Sequence, residues 1–240
     1  MKYGIKIYAG NSQNIFPKLA KDIPFDFVEA MIEPTADFSY LKEYNFEFVI
    51  HTAHSLFGIN LANPKKKEKN TQAIQKAIEA SDELNADTII THPGYVENEE
   101  CNLENVFKFL EQTNCEKIIL ENLCPSSIHK SPHLGYTLED MRNIDSHRIR
   151  ICLDIGHASM QAHNENKDYL DFIKELVALN PKHYHFTDCI LEKYTDHIHF
   201  GDGDLDLKAI KSLVPKDARI SLETKLDDKL KQDFEYIRSI

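Results

Sequence analysis

The sequence predicts a single (β/α)8 barrel, on three observations. Short strand-like runs of apolar and aromatic residues recur along the whole chain, helical patterns lie between them, and the longest connections follow strands. Strands that alternate with helices are typical of a parallel sheet, and eight such units suggest closure into a barrel. Because 240 residues match the usual length of one barrel, residues 1–240 are interpreted as one domain.

The predicted strands are rich in β-branched and aromatic residues. In chain order they are Gly4–Tyr8, Phe25–Met31, Glu47–His51, Asp87–His92, Lys117–Glu121, Ile149–Asp154, His183–Phe186 and Arg219–Glu223. The clearest helix begins near Leu103, where apolar residues follow the i, i+3, i+4, i+7 spacing as far as Leu110. A doubly wound open sheet is the alternative, because alternation alone does not show that the last strand meets the first. The first strand is followed by Ala9-Gly10-Asn11, which is not a glycine-rich phosphate loop.

The charge balance disfavours a general nucleic-acid-binding surface. The chain carries 39 acidic and 28 basic residues, for a net charge of −11. Binding to phosphate backbones depends on clustered lysine and arginine, and Lys65-Lys66-Lys67 is the only basic run. That run is interpreted as the solvated start of a helix.

The cysteines and the N-terminus indicate a reducing compartment. The five cysteines are odd in number and contain no C-x-x-C spacing, so they are interpreted as reduced core thiols. The chain begins on a predicted strand, without a signal-peptide core, and contains no apolar run of about 18 residues. We therefore expect a cytoplasmic protein that does not enter a membrane.

The longest connections indicate where the functional site lies. They are Thr52–Lys66, Asn122–His133 and Cys189–Asp204, and each follows a predicted strand. In a closed barrel all three would lie at the C-terminal mouth, where barrel active sites are built.

Polar groups end six successive strands at this mouth. They are His51, His92, Glu121, Asp154, His185 and Glu223. Few lysines or arginines lie at strand ends to pair with them, and burying lone carboxylates costs several kcal/mol, so their convergence implies a cation. Three carboxylates and one imidazole suit Mn²⁺, Zn²⁺, Co²⁺ or Mg²⁺, with the imidazole favouring the first three. The alternative is that these groups cap loops or form internal ion pairs.

Six short motifs resemble those of a known family. They are His92-Pro93-Gly94, Leu120-Glu121-Asn122, Leu153-Asp154-Ile155-Gly156-His157, His185-Phe186-Thr187-Asp188, Gly201-Asp202-Gly203 and Leu222-Glu223-Thr224. In order and spacing they resemble the xylose isomerase-like TIM barrels, over nearly the full chain. That superfamily includes sugar isomerases and epimerases, and also the type IV endonucleases that cut DNA at abasic sites.

The resemblance to the sugar enzymes implies a divalent metal held by four residues, Glu121, Asp154, His185 and Glu223. The metal would grip adjacent oxygens of a small-molecule sugar substrate. Glu121 and Glu223 would then move a proton between neighbouring carbons as general base and acid, through an enediolate. His157 would hydrogen-bond a substrate oxygen. We expect a metal-dependent isomerase or epimerase acting on a sugar or sugar derivative.

The resemblance to the endonucleases implies a three-zinc cluster and a nucleic-acid substrate. The similar positions are His51 and His92 on one side, and His157 with His197 on the other. Two departures weaken this alternative. Thr195-Asp196-His197 places its aspartate one position away from the Asp-x-His of that branch, and the first strand lacks its Gly-x-His. His51, His92 and His197 are therefore assigned to the substrate pocket.

Other polar residues are given lesser roles. His54 and His199 are interpreted as loop residues that support the site, and His183 as a core histidine. Glu29 and Glu33 on the second strand could reach the mouth, but neither is assigned a role because the register of that strand is uncertain. The third hypothesis is a catalytically inactive barrel that binds a metabolite or protein. The sequence does not determine the oligomeric state, and a homodimer is one possibility.

Overall fold

The computed structural model of the protein describes residues 1–126 and 130–240, which contain a closed barrel of eight parallel strands. The strands are β1 (Lys2–Tyr8), β2 (Phe27–Ile32), β3 (Glu47–Thr52), β4 (Ile89–Thr91), β5 (Ile118–Glu121), β6 (Ile151–Asp154), β7 (His183–Phe186), β8 (Asp188–Ile190), β9 (Thr195–Ile198) and β10 (Arg219–Leu222). The helices of these ranges are α1 (Ala9–Ser12), α2 (Phe16–Asp22), α3 (Lys67–Glu83), α4 (Leu103–Thr113), α5 (Leu138–Ser146), α6 (Ile155–Asn164), α7 (Tyr169–Val177), α8 (Leu207–Leu213) and α9 (Leu230–Ser239).

The barrel closes because β1 pairs with both β2 and β10. The predicted (β/α)8 fold is thereby confirmed, and the open doubly wound sheet is excluded. All eight predicted strands are present, with ends that differ from the prediction by at most two residues. The remaining strands, β8 and β9, form an antiparallel hairpin inside the connection predicted as a loop from Cys189 to Asp204. Residues 127–129 of the predicted Asn122–His133 connection lie outside the described ranges.

Amphipathic helices cover the outside of the barrel. In α4 the buried residues Leu103, Val106 and Phe107 face the main core, and the Asn102 side chain accepts a hydrogen bond from the Asn105 amide to cap the first turn. The outward residues of the strands, such as Val28 and Ile50, join the same core. Burial of this shared apolar surface holds the helices against the strands.

Inward side chains form two layers, because successive residues of a strand point to opposite faces. The lower layer is an apolar cluster of Phe27, Val49, Ile90, Ile119 and Cys152. Two positions further along the strands lies an upper layer of polar groups. We define this upper layer as Lys6, Glu29, His51, His92, Glu121, Asp154, His185 and Glu223. Strand register places neighbours side by side, as in the Lys6 and Glu29 pair and the Asp154 and His185 pair.

One buried carboxylate fastens the hairpin to the barrel. Asp188 accepts hydrogen bonds from its neighbour's amide, Cys189 N, and from the amides of Gly201, Gly203 and Leu205, at 2.9 to 3.2 Å. Gly201 has φ +85°, and a Cβ on Gly203 would lie 2.3 Å from the Asp188 carboxylate, so both positions require glycine. The connection after β7 therefore has a fixed base.

Candidate metal centre

A cavity of about 480 Å³ opens at the carboxyl ends of the strands. The predicted site residues on its wall are His92, Glu121, His157, His197 and Glu223. Three others, His51, Asp154 and His185, are fully buried and are not among the residues lining the wall. The structure thus brings all the predicted residues to one end of the barrel, with Glu121 and Glu223 on the cavity wall and Asp154 and His185 buried.

His185 lies among the three carboxylates of the predicted quartet. Its Nδ1 atom is 2.8 Å from Glu223 Oε1 and 3.5 Å from Glu121 Oε2. The same atom is 3.8 Å from Asp154 Oδ2. Asp154, His185 and Glu223 thus form one group of possible ligands within mutual reach, and Glu121 forms another with Asp154 and His157. These are donor types that Mn²⁺, Co²⁺ and Zn²⁺ accept.

Two of these four atoms are buried without a hydrogen-bond partner. Asp154 Oδ1 caps helix α6 by accepting a hydrogen bond from the His157 amide at 2.6 Å, but Asp154 Oδ2 has no partner among the described residues. His185 Nδ1 also lacks a hydrogen bond of good geometry within those ranges, although it lies at ion-pair distance, 2.8 Å, from Glu223 Oε1. Buried polar atoms nearly always have a hydrogen-bond partner. Two buried atoms without one, lying near each other and beside two more carboxylates, fit a bound divalent ion.

A second group of possible ligands lies beside the quartet. His51 Nε2 and His92 Nε2 are 3.0 and 3.2 Å from Glu121 Oε2, and the three side chains could hold a metal ion together. His51 lies behind Glu121, since its Nδ1 donates to the Thr52 carbonyl and its ring is fully buried. Its position suits orientation of Glu121 better than contact with a substrate.

The hairpin brings a further aspartate and histidine to the cavity. Asp196 Oδ2 is 3.7 Å from His157 Nε2, so the displaced aspartate still approaches this histidine. His197 instead turns towards the quartet, with Nε2 2.8 Å from Glu223 Oε2. In residues 1–126 and 130–240, no group of three possible ligands within mutual reach includes Asp196 or His197.

A lysine also lies in this cluster, which corrects the expectation that few cations would pair with the strand-end carboxylates. Lys6 of β1 places its Nζ 2.5 Å from Glu223 Oε1 and 3.6 Å from Glu29 Oε1. Sequence inspection missed it because the lysine lies inside the first strand and not at its end. The alternation Lys2, Gly4, Lys6, Tyr8 on one face of that strand was the available signal.

Glu29, which the sequence left unassigned, is fully buried beside the quartet. Its Oε2 lies 2.9 Å from His185 Nε2 and 3.2 Å from His183 Nε2. His183 therefore belongs to the barrel interior as predicted, although its Nδ1 has no partner in the described part of the chain. Glu33, in contrast, lies outside this cluster and accepts a hydrogen bond from the Gly10 amide.

The carboxylates that border the cavity are ionised. Burial alone would raise the pKa of Glu223, but the charges of His185 and Lys6 hold that pKa well below its usual value. Burial alone would also raise the pKa of Glu121, but the neighbouring His92 and His185 outweigh burial and hold that pKa well below its usual value. Both side chains are therefore in the unprotonated form that a general base requires.

Asp154 and His92 behave differently. Burial raises the pKa of Asp154 to about 6. The charges of Glu223 and Glu121 act in the same direction, whereas that of His157 opposes them. Burial lowers the pKa of His92 to about 4, so its imidazole is neutral and able to bind a metal. The repulsion felt by Asp154 is what a divalent ion at this point would relieve.

Of the two supporting histidines, His54 lines the cavity and His199 is not among its lining residues. His54 stacks on His92 with ring centroids 4.8 Å apart and lines the cavity. His199 is held between Asp233 and Asp227, with nitrogen-to-oxygen distances of 2.7 and 3.1 Å. His199 therefore links the hairpin to the segment that follows β10.

The fold and this cluster define a closed (β/α)8 barrel with candidate metal sites of histidine, glutamate and aspartate side chains at its mouth. The chain belongs to the xylose isomerase-like TIM barrel family, whose profile matches residues 17–240. This confirms the resemblance inferred from the motifs. The family comprises enzymes, including sugar isomerases, epimerases and endonuclease IV.

Of two curated relatives, one is uncharacterized and the other is named as an endonuclease. An uncharacterized protein of Methanocaldococcus jannaschii is 26% identical over 94% of this chain and 84% of its own length. Apurinic-apyrimidinic endonuclease 1 of Plasmodium falciparum is 27% identical over 69% of this chain, which spans only 28% of that longer protein.

Solved structures of both enzyme types share the fold. A D-tagatose 3-epimerase-like protein superposes with a TM-score of 0.75 and 24% identity, over 100% of this chain and 99% of its own. Endonuclease IV from Thermus thermophilus superposes with a TM-score of 0.73 and 16% identity, over 100% of this chain and 98% of its own. The IOLI protein with a bound zinc atom superposes with a TM-score of 0.66 and 14% identity, over 100% of this chain and 98% of its own. At these identities the likeness establishes the fold alone.

The helices do not have the character of membrane spans. In the two described ranges, none combines the length and the apolar composition that crossing a bilayer requires.

Proposed function

We propose that the protein is a divalent-metal-dependent isomerase or epimerase of a sugar or sugar derivative. The observation that carries this proposal is a pair of buried atoms without a hydrogen bond, Asp154 Oδ2 and His185 Nδ1, which lie 3.8 Å apart behind the cavity-lining Glu121 and Glu223. These four residues would hold the ion. When bound, the ion supplies positive charge that polarises a substrate carbonyl and stabilises an enediolate.

Glu121 and Glu223 have the properties that proton transfer requires. Both border the cavity, and both have lowered pKa values, so each is ionised and can take a proton from a substrate carbon. Isomerisation would have the carboxylate that accepts the proton return it to the neighbouring carbon. Epimerisation would need the other carboxylate, in its protonated form, to deliver a proton from the opposite face. Lys6 holds Glu223 in position through its short contact.

The cavity wall can orient a polar substrate. His157 is anchored by its Nδ1, which lies 2.9 Å from the Asn122 carbonyl, so its Nε2 is available to a substrate hydroxyl. His197 lies on the hairpin beside Glu223 and can bind a second hydroxyl. A volume of about 480 Å³ suits a small ligand, since ligand pockets are typically about 300 to 1,000 Å³.

Cleavage of abasic DNA is the second candidate function. The His51, His92 and Glu121 group favours it, because a second metal site beside the quartet suits phosphodiester chemistry. The surroundings of the cavity weigh against it. Among the described residues its lining includes only two lysines, Lys6 and Lys225, and the first is paired with Glu223. A backbone of phosphates needs several unpaired cations.

Solvent-hydrogen exchange tests the proposal without knowledge of the product. The protein, loaded with Mn²⁺, Co²⁺ or Zn²⁺, is incubated in D₂O with a panel of ketoses, aldoses and their derivatives, and loss of C–H signals is followed by NMR. We expect exchange at a carbon next to the carbonyl, and its loss in Glu223→Gln. Exchange at the wild-type rate in Glu223→Gln would contradict the mechanism.

Metal content and a DNA substrate separate the two candidates. Elemental mass spectrometry of protein purified without chelators should give close to one divalent ion per chain. Two or three zinc ions, together with cleavage of an oligonucleotide containing an abasic site, would reverse the ranking. His197→Ala sharpens this result, because we expect that variant to keep its ion.

A further inference from the structure

Glu29 is a carboxylate of the upper layer that contacts the metal-ligand candidates from behind. It is fully buried and does not line the cavity. Its Oε2 lies 2.9 Å from His185 Nε2, the ring nitrogen that does not face the quartet. The Ser221 hydroxyl donates to the same oxygen at 2.5 Å. Glu29 therefore cannot touch a substrate, but it holds the ring of a proposed ligand.

The contact determines which nitrogen of His185 carries the proton when an ion is bound. A neutral imidazole has one N–H and one lone pair, and an ionised carboxylate can only accept a hydrogen bond. His185 Nε2 must then donate to Glu29, which leaves the lone pair on Nδ1. That atom faces the quartet, 2.8 Å from Glu223 Oε1. A carboxylate behind a metal-binding histidine also makes the imidazole a better ligand.

Burial of Glu29 is difficult to explain by stability alone. One oxygen, Oε1, has no hydrogen-bond partner in the described ranges, and the Lys6 ammonium is 3.6 Å from it. An apolar residue of similar size at this place would avoid the desolvation cost of a buried charge. The lower-layer residue two positions earlier on β2, Phe27, shows that an apolar side chain fits inside this strand.

We propose that Glu29 is a positioning residue for the metal centre, which fixes the tautomer and the ring orientation of His185. The inference rests on the proposed function in that it takes His185 as a ligand of the ion. Lys6 balances the added negative charge, because it lies between Glu29 and Glu223. Glu29 and Lys6 thus form the support of the quartet on the side of β1 and β2.

Metal affinity in two variants tests the inference. Glu29→Leu removes the acceptor, and Glu29→Gln keeps the shape and one acceptor but removes the charge. We expect affinity for Zn²⁺ and Mn²⁺, measured by chelator competition, to fall by about 10- to 100-fold in Glu29→Leu and by less in Glu29→Gln. In zinc-loaded protein, ¹⁵N NMR should show His185 protonated at Nε2 in the wild type, with this signal altered in both variants.

Glu33→Gln is the matched control. Glu33 follows the same strand, is also buried, and hydrogen-bonds the Gly10 amide instead of the cluster. Zinc affinity in this variant should equal that of the wild type. Wild-type affinity and an unaltered His185 spectrum in Glu29→Leu, or in Glu29→Gln if the first variant does not fold, would overturn the inference.

The outcome is separable from the test of function. A wild-type protein that binds an ion but exchanges no sugar hydrogens overturns the proposed function and leaves the affinity comparison valid. A wild-type protein that binds no divalent ion overturns both.

Discussion

The two layers inside the barrel differ in what holds their side chains. The lower layer is an apolar cluster of five completely buried residues, and the polar His183 and Ser221 lie at the same level of β7 and β10. The upper layer, two residues further along each strand, holds four carboxylates, three histidines and a lysine in one polar cluster. Hydrophobic packing stabilises the first, whereas charge pairing and hydrogen bonds arrange the second. The comparison teaches that the apolar packing of the barrel and its candidate ligand residues lie in adjacent but separate sets.

Asp154→Asn should give the largest effect and should act on the upper layer only. Asparagine can still cap α6 through its Oδ1, but the unpartnered Oδ2 becomes an amide that cannot bind a cation. We expect affinity for Zn²⁺ to fall more than about 100-fold, beyond the range of residues that merely orient a ligand. Chelator competition measures the affinity, and thermal denaturation should show that the fold persists.

The control for this prediction is Asp168→Asn. Asp168 caps α7 by the same hydrogen bond, to the Asp171 amide, but lies exposed and away from the cavity. Its zinc affinity should be that of the wild type. Tight zinc binding by Asp154→Asn would remove this residue from the proposed ligand set.

Ile119→Ala, in the lower layer, should lower the stability of the fold and leave zinc affinity unchanged. Ile119 is completely buried two positions before Glu121, and its truncation leaves a cavity below the metal centre. We expect the free energy of unfolding to fall by about 2 to 5 kcal/mol, measured by urea denaturation. Ile119→Val should cost only about 0.5 to 1.5 kcal/mol. Zinc affinity should stay close to wild type in both, and a large loss would show that the layers are not separable.

His199→Gln should give a smaller effect that depends on pH. Burial alone would lower the pKa of His199, but hydrogen bonds to Asp233 and Asp227 raise it in the folded protein. A group with a raised folded pKa contributes stability below its unfolded value, about 6.5, and loses it as pH rises through the folded value. Denaturation should show the His199→Gln variant to be about 1 to 2 kcal/mol less stable than wild type at a pH of about 6, with the difference shrinking by about pH 9.

A histidine in a different setting provides the control. His147 hydrogen-bonds the Asn143 carbonyl, and no carboxylate in the described ranges forms an ion pair with it. The stability difference between His147→Gln and wild type should vary less with pH. A His199→Gln difference that grew with pH would reverse the assigned sign.

The sequence was sufficient to predict the barrel and the strand-end residues. Some strands are apolar runs that finish in a carboxylate, such as the four residues ending at Glu121 or at Asp154. This one local pattern predicts both where the strand lies and which side chain it presents to the site. These residues converge because parallel strands in a closed barrel end at the same mouth. The prediction therefore required no knowledge of which residues touch.

The roles of Lys6 and Glu29 could not be predicted in this way. Every residue of β2 is buried, so burial on both faces conceals which alternate set points inward. Only closure of the barrel, which pairs Lys6 with Glu29 and places both near Glu223, identifies the inward set. The β8–β9 hairpin was missed for a related reason. Its base is fixed by hydrogen bonds from backbone amides to Asp188, and no apolar pattern in the sequence marks it.

The Asp188 contacts also bear on how this protein can change during evolution. The carboxylate occupies a ring of backbone amides much as a bound anion would, and it lies just beyond the end of β7. The hairpin tip, Leu191–Lys193, lies beyond this anchor. Exchange of the tip for a sequence of another length would leave the anchor and the metal-ligand candidates in place. The tip of the hairpin can therefore vary in length while the rest of the barrel is inherited unchanged.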